Sequence, residues 1–277
     1  MKNRILCSTG ALIGKPNGRD FRLLKELAGK LDCDGFEFMM YSDWYDKIEE
    51  IISFLRDNGI VTPAYHCQKS IGEGISKGGE ELEDAVKRFR ENAEMARAMG
   101  AEKMVMHLWD GITSDAFFAN NLAAYKELRQ IADECGELLL VENVVCNQMT
   151  PMEHWCELAA EYPDIVFVFD TKMAAFHGQL ELLYEKEYEW LWKEKHIRHY
   201  HVNDYGGGIK DWSNLKTLPI GKGHIDFERF LDFVKNTGYE GDFTLESTAF
   251  DASGAVDTEM LNRQIRYVRE RLIRKEG

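Results

Sequence analysis

The 277-residue chain contains no apolar run approaching the roughly 18 residues of a membrane span. Its six cysteines, Cys7, Cys33, Cys67, Cys135, Cys146 and Cys156, form no C-x-x-C pair. That speaks against a structural zinc site, and a disulfide framework is out of place in a chain this large. The thiols read mostly as small buried apolar residues. The opening Met1-Lys2-Asn3-Arg4-Ile5-Leu6-Cys7-Ser8-Thr9-Gly10 is basic at its start but lacks an apolar region long enough for a secretory signal, so a cytoplasmic location is expected. No basic cluster stands out: 34 Lys and Arg face 48 Asp and Glu, a net charge of −14. Such a surface repels phosphate backbones and anionic membranes, so neither nucleic acid nor a membrane is an expected partner. Linkers and low-complexity tracts are absent as well, and the reading is one domain over residues 1–277.

What is present is alternation. Short runs rich in Val, Ile, Phe and Leu take turns with longer amphipathic segments, the pattern of β/α units around a parallel sheet. Eight rounds can be counted. The expected strands are Ile5–Ser8, Gly35–Met40, Ile60–Tyr65, Lys103–Leu108, Leu138–Asn143, Val166–Asp170, Ile197–Asn203 and Phe243–Glu246. Between them, sets such as Ile48, Ile51, Ile52 and Leu55, or Phe227, Phe230, Leu231 and Val234, fall at helical spacing and read as packing faces. Asn58-Gly59, Met99-Gly100 and Thr237-Gly238 place glycine where helices must stop. Eight units in about 250 residues predict a (β/α)8 TIM barrel. The longest irregular stretches, Cys67–Gly79 and Asp204–Ile225, follow the third and seventh strands, on the face where such barrels build their active sites.

Four of the later strands finish in metal-capable side chains: Glu142, Asp170, His201 and Glu246. Three buried carboxylates converging on one barrel mouth would repel one another, and a divalent cation removes that conflict. Three oxygen ligands and one imidazole suit Mn²⁺ best, with Zn²⁺, Co²⁺ or Mg²⁺ also fitting. His199 lies two residues from His201 on the same strand face, so register alone does not choose between them. His66 and His107 close the third and fourth strands and are candidate substrate contacts, as are Trp109 and Lys172.

The motifs Val141-Glu142-Asn143, Phe169-Asp170-Thr171, His199-Tyr200-His201-Val202-Asn203-Asp204, Gly221-Lys222-Gly223-His224-Ile225-Asp226-Phe227 and Gly238-Tyr239-Glu240-Gly241 followed by Leu245-Glu246 resemble those of the xylose-isomerase-like barrels. That group includes keto-sugar epimerases, hydroxypyruvate isomerase, inosose dehydratase and abasic-site endonucleases. The resemblance implies one metal on Glu142, Asp170, His201 and Glu246, and it is what selects His201 over His199. It also implies a small sugar substrate, with Glu142 and Glu246 as acid/base groups moving a proton through a metal-stabilised enediolate. The expected activity is therefore a sugar isomerase or epimerase. A keto-polyol dehydratase shares the same first step, while an abasic-site phosphodiesterase or a non-catalytic sugar-binding barrel would be a different class. Two departures bear on the substrate: Met173 stands where many relatives carry His, and Gly207 stands where epimerases often carry Arg. The oligomeric state stays open between a monomer and a homo-oligomer.

Overall fold

The computed structural model describes residues 3–273. Eight parallel strands close into a barrel in chain order: β1 Arg4–Ser8, β2 Phe36–Met39, β3 Ala64–His66, β4 Lys103–Met106, β5 Leu138–Glu142, β6 Val166–Asp170, β7 Ile197–Val202 and β8 Asp242–Leu245. The helices are α1 Leu24–Ala28, α2 Ile48–Asp57, α3 Ser70–Lys77, α4 Gly79–Met99, α5 Phe118–Cys135, α6 Pro151–Glu161, α7 Thr171–Phe176, α8 Trp190–Lys193, α9 Phe227–Asn236 and α10 Thr258–Leu272. The expected barrel is thus the observed one. No described helix is long and apolar enough to cross a membrane.

Contacts group the chain into two compact units, Glu37–Val168 and Met1–Phe36 with Phe169–Gly277. In the first unit the registers Glu37↔Ala64, Ala64↔Lys103, Lys103↔Leu138 and Leu140↔Val166 set the alternation of faces. Val105, Leu140 and Val168 accordingly meet in a buried apolar cluster. Residues one step along the strands face the helices: Phe167 stacks on Trp155 of α6 at 4.2 Å between ring centroids. That helix starts on a capping box, in which the Thr150 amide donates to Glu153 Oε2 at 2.8 Å and the Glu153 amide donates back to Thr150 Oγ1.

In the second unit β8 pairs with β1 and β7, and a bidentate Arg4–Asp242 pair with both contacts at 2.8 Å ties β1 to β8. Tyr200 and Phe243 stack at 5.3 Å, and Tyr200 and Phe169 meet Phe230 of α9. The spacing of Phe227, Phe230, Leu231 and Val234 does become the buried face of that helix.

Three readings of the sequence need correction. The third strand is Ala64–His66, not Ile60–Tyr65, because Pro63 has no amide to give the ladder and Ile60 is still held by the end of α2 through its bond to Leu55 O. Most of the stretch Cys67–Gly79 is helical as α3. Its glycines serve packing: a Cβ on Gly72 would lie 2.3 Å from His107 O, and one on Gly74 would lie 3.0 Å from Ala85 Cβ. Finally, the thiols divide: Cys7, Cys67 and Cys146 are buried, Cys33 and Cys135 are partly exposed and Cys156 is exposed, all of them free.

The start of β5 carries a strained charge. Glu137 is buried, its Oε2 has no hydrogen-bond partner, and burial together with the neighbouring Glu102 pushes its pKa from 4.5 to about 7. The folded state therefore holds this proton more tightly than the unfolded chain. The stability it contributes is full below pH 4.5 and is lost as pH rises through about 7. Glu137→Gln should consequently raise the melting temperature at pH 8, with the gain shrinking toward pH 4.5. Thermal melts across that range test it, and a pH-independent gain would point to another cause.

Candidate metal centre and active site

A strand's period of two puts Leu140 and Glu142 on one face of β5, and Glu142 ends that strand fully buried. Two imidazoles converge on it within its unit. His107 Nε2 lies 3.0 Å and His66 Nε2 lies 3.3 Å from Glu142 Oε2, and the three groups offer ligand atoms within 4.8 Å of one another. His66 closes β3 as expected, whereas His107 stands one residue beyond the end of β4. His66 Nδ1 lies 2.9 Å from the Cys67 carbonyl, which needs a donor and so assigns the ring hydrogen to Nδ1. Burial lowers the pKa of His107, but the carboxylates of Glu142 and Asp110 outweigh it and hold the ring above its ordinary value.

Asp170, His201 and Glu246 belong to the other unit. Asp170 ends β6 and caps α7, Oδ1 accepting from the Met173 amide at 2.7 Å. His201 Nδ1 faces Asp170 Oδ2 at 4.0 Å and Glu246 Oε2 at 3.7 Å. Glu246 sits one residue past β8 and is partly exposed, while Asp170 and His201 are sealed from solvent. Ligand atoms of Asp170, His201 and Glu246 lie within 4.8 Å of one another. Atoms sharing an ion at roughly 2.0–2.6 Å are separated by about 5 Å at most, so the spacing suits a metal. His199 uses Nε2 on Thr244 Oγ1 at 2.8 Å, which favours His201 as the imidazole of this group.

Several residues in this region escaped the sequence reading. Asn203, fully buried, donates from Nδ2 to Asp170 Oδ2 at 3.1 Å and to Glu246 Oε2 at 3.4 Å, holding two carboxylates at one amide. Asp204 accepts four backbone amides: Tyr205 and Ile225 on Oδ1, Gly221 and Gly223 on Oδ2, at 2.8 to 3.1 Å. It thereby gathers the irregular segment 204–225, within which Asp204 also forms an antiparallel bridge to Leu218. Asp115 does the same for the segment after β5, accepting from the amides of Asn147, Gln148 and Met149, with His154 Nε2 at 3.0 Å. The Asn-Asp pair after β7 was visible as polarity at a strand end; the hydrogen bonds that define these roles were not.

Trp109 is fully buried against Phe118 and His154, so a sugar reaches its ring only if the surrounding loop shifts. Lys172, on the first turn of α7, is 8% exposed and donates from Nζ to Thr217 Oγ1 at 3.1 Å. Met173 is buried, and Lys210, beyond the Gly206-Gly207-Gly208 run, is tied by its amide to Phe176 O.

Comparison with known proteins agrees with this architecture. The xylose isomerase-like TIM barrel family matches residues 25–270. Among solved structures, a D-tagatose 3-epimerase-like protein superposes with a TM-score of 0.67 at 19% identity, over 98% of this chain and 100% of that one. The D-allulose 3-epimerase from Methylomonas sp. gives 0.70 at 15%, covering 97% and 98%. An L-ribulose 3-epimerase gives 0.69 at 16%, covering 98% and 94%. At these identities the likeness is one of fold. No curated protein sequence matches the chain.

Proposed function

Since the chain belongs to the xylose isomerase-like TIM barrel family, we propose that it is a metal-dependent sugar isomerase or epimerase acting on a small keto-sugar or hydroxy-aldehyde. The observation that carries this reading is the convergence of Asp170, His201 and Glu246, with Asn203 bridging the two carboxylates. Two carboxylates and an imidazole this close suit a shared cation, and Glu142 on β5 is the fourth ligand of the proposed set. Two or three carboxylates with one imidazole favour Mn²⁺, and Zn²⁺, Co²⁺ or Mg²⁺ also fit. The named epimerases of the same fold lend support at the level of reaction class.

A divalent ion held by these residues would supply Lewis acidity, making the C–H beside a substrate carbonyl more acidic. The remaining work falls to side chains. One of Glu142 and Glu246 removes the proton and keeps it, while the other, starting protonated, delivers its own to the opposite face for epimerisation or to the neighbouring carbon for isomerisation. Asn203 keeps Asp170 and Glu246 in place. His66, His107 and Lys172 are the proposed polar contacts to the sugar, with Trp109 as the apolar one.

The test is isotopic. A panel of ketoses incubated with the Mn²⁺-supplemented protein in D₂O should yield one that gains deuterium on the carbon beside the carbonyl. Conversion without deuterium there would indicate hydride transfer and would remove the reading.

A further inference from the structure

Lys172 carries an inference that rests on the proposed sugar site and narrows its substrate. The residue is 8% exposed, and among the described residues its ammonium has a single hydrogen-bond partner, the Thr217 hydroxyl at 3.1 Å, and no carboxylate pairs with it. The hydroxyl fills one of the ammonium's three N–H donors and brings no opposite charge to it. For stability alone a methionine of similar length would serve better.

The position is also well fixed. Lys172 follows Asp170 by two residues on a helix that Asp170 itself caps, and Thr217 belongs to the segment that Asp204 gathers through four amides. Both lie beyond the C-terminal ends of their strands, β6 and β7, where barrel enzymes hold substrates. With a net charge of −14, the molecule repels anions at long range, so a local buried cation decides whether one is held.

We propose that Lys172 and Thr217 form a recognition pair for an anionic substituent, a carboxylate or a phosphate, on the sugar substrate. Lysine is a point charge that accepts either geometry, and Thr217 can donate its own hydroxyl hydrogen to the same group. Neutral ketoses would leave the ammonium uncompensated.

Calorimetric titration of the protein with D-tagatose, D-tagaturonate and D-tagatose 6-phosphate, with and without Mn²⁺, tests this. At least one anionic ketose should bind about tenfold or more tightly than the neutral one, and added salt should narrow the gap. Which anion gains distinguishes the carboxylate from the phosphate. Lys172→Met should bring the ratio toward one, Lys172→Arg should preserve most of it, and Thr217→Val should reduce it by a smaller factor. An unchanged ratio in Lys172→Met, or no preference in the parent protein, overturns the proposal. Failure of the broader reading shows separately, as no Mn²⁺ binding by the parent protein, because the anion ratio is also read in the metal-free state.

Discussion

Replacing Glu246 with glutamine should leave a folded protein whose turnover of its keto-sugar falls on the order of 10² to 10⁴. The amide keeps the size of the side chain and an oxygen for a metal, and it still accepts a hydrogen bond from Asn203 Nδ2, 3.4 Å away in the parent protein. What it loses is the ability to take a proton. Glu142→Gln should fall comparably, and the two variants should differ in isotope exchange. Glu246 is 12% exposed and Glu142 is 1% exposed, so a proton resting on Glu246 meets solvent more readily. Deuterium wash-in should therefore suffer most when Glu246 is replaced. Steady-state kinetics and mass spectrometry of the product read both effects. Near-normal turnover in both variants would assign the proton to another carrier, with His107, His66 and Lys172 next in line.

Stripping divalent ions with a chelator should abolish activity, and the stability of the protein should fall with it. A ligand that binds only the folded state stabilises by RT ln(1 + [L]/Kd), about 2.7 kcal/mol at 100 times Kd. In a chain of this length that corresponds to a melting temperature lower by roughly 5–10 °C after chelation. Restoring Mn²⁺ should return both, with about one ion per chain by elemental analysis. Asp170→Asn should blunt the thermal response as well, which links it to the proposed ligands. A protein that melts identically with and without chelator, and carries no ion, would exclude the metal site even if some activity survived.

Much of the architecture was legible because its signals are local. The run Val166-Phe167-Val168-Phe169-Asp170 became β6 residue for residue, since a buried parallel strand is apolar on both faces and the acid closes it. Met99-Gly100 marked the end of α4 because the left-handed conformation there, φ 75°, suits glycine. The stretch Ile60–Tyr65 misled because an apolar run resembles a strand whether or not its amides find a ladder, and Pro63 removes one of them. Helix α3 was hidden by Gly72 and Gly74, residues that usually signal a loop. Their cause is the close approach of His107 O and Ala85 Cβ, both distant in sequence.

The same division runs through the candidate site. By itself the sequence determined the number of β/α units, the strand ends that carry Glu142, Asp170, His201 and Glu246, and the acidic surface, because periodicity, residue type and charge are properties of short windows. The tertiary structure decided the rest: that His199 pairs with Thr244 while His201 faces Asp170 and Glu246, that Asn203 bridges two carboxylates, that Asp204 gathers amides from residues 205 to 225, and that Lys172 donates to Thr217, 45 residues away. A buried polar group's role depends on which partners the fold brings within about 3 Å, and that choice is made between segments far apart in the chain.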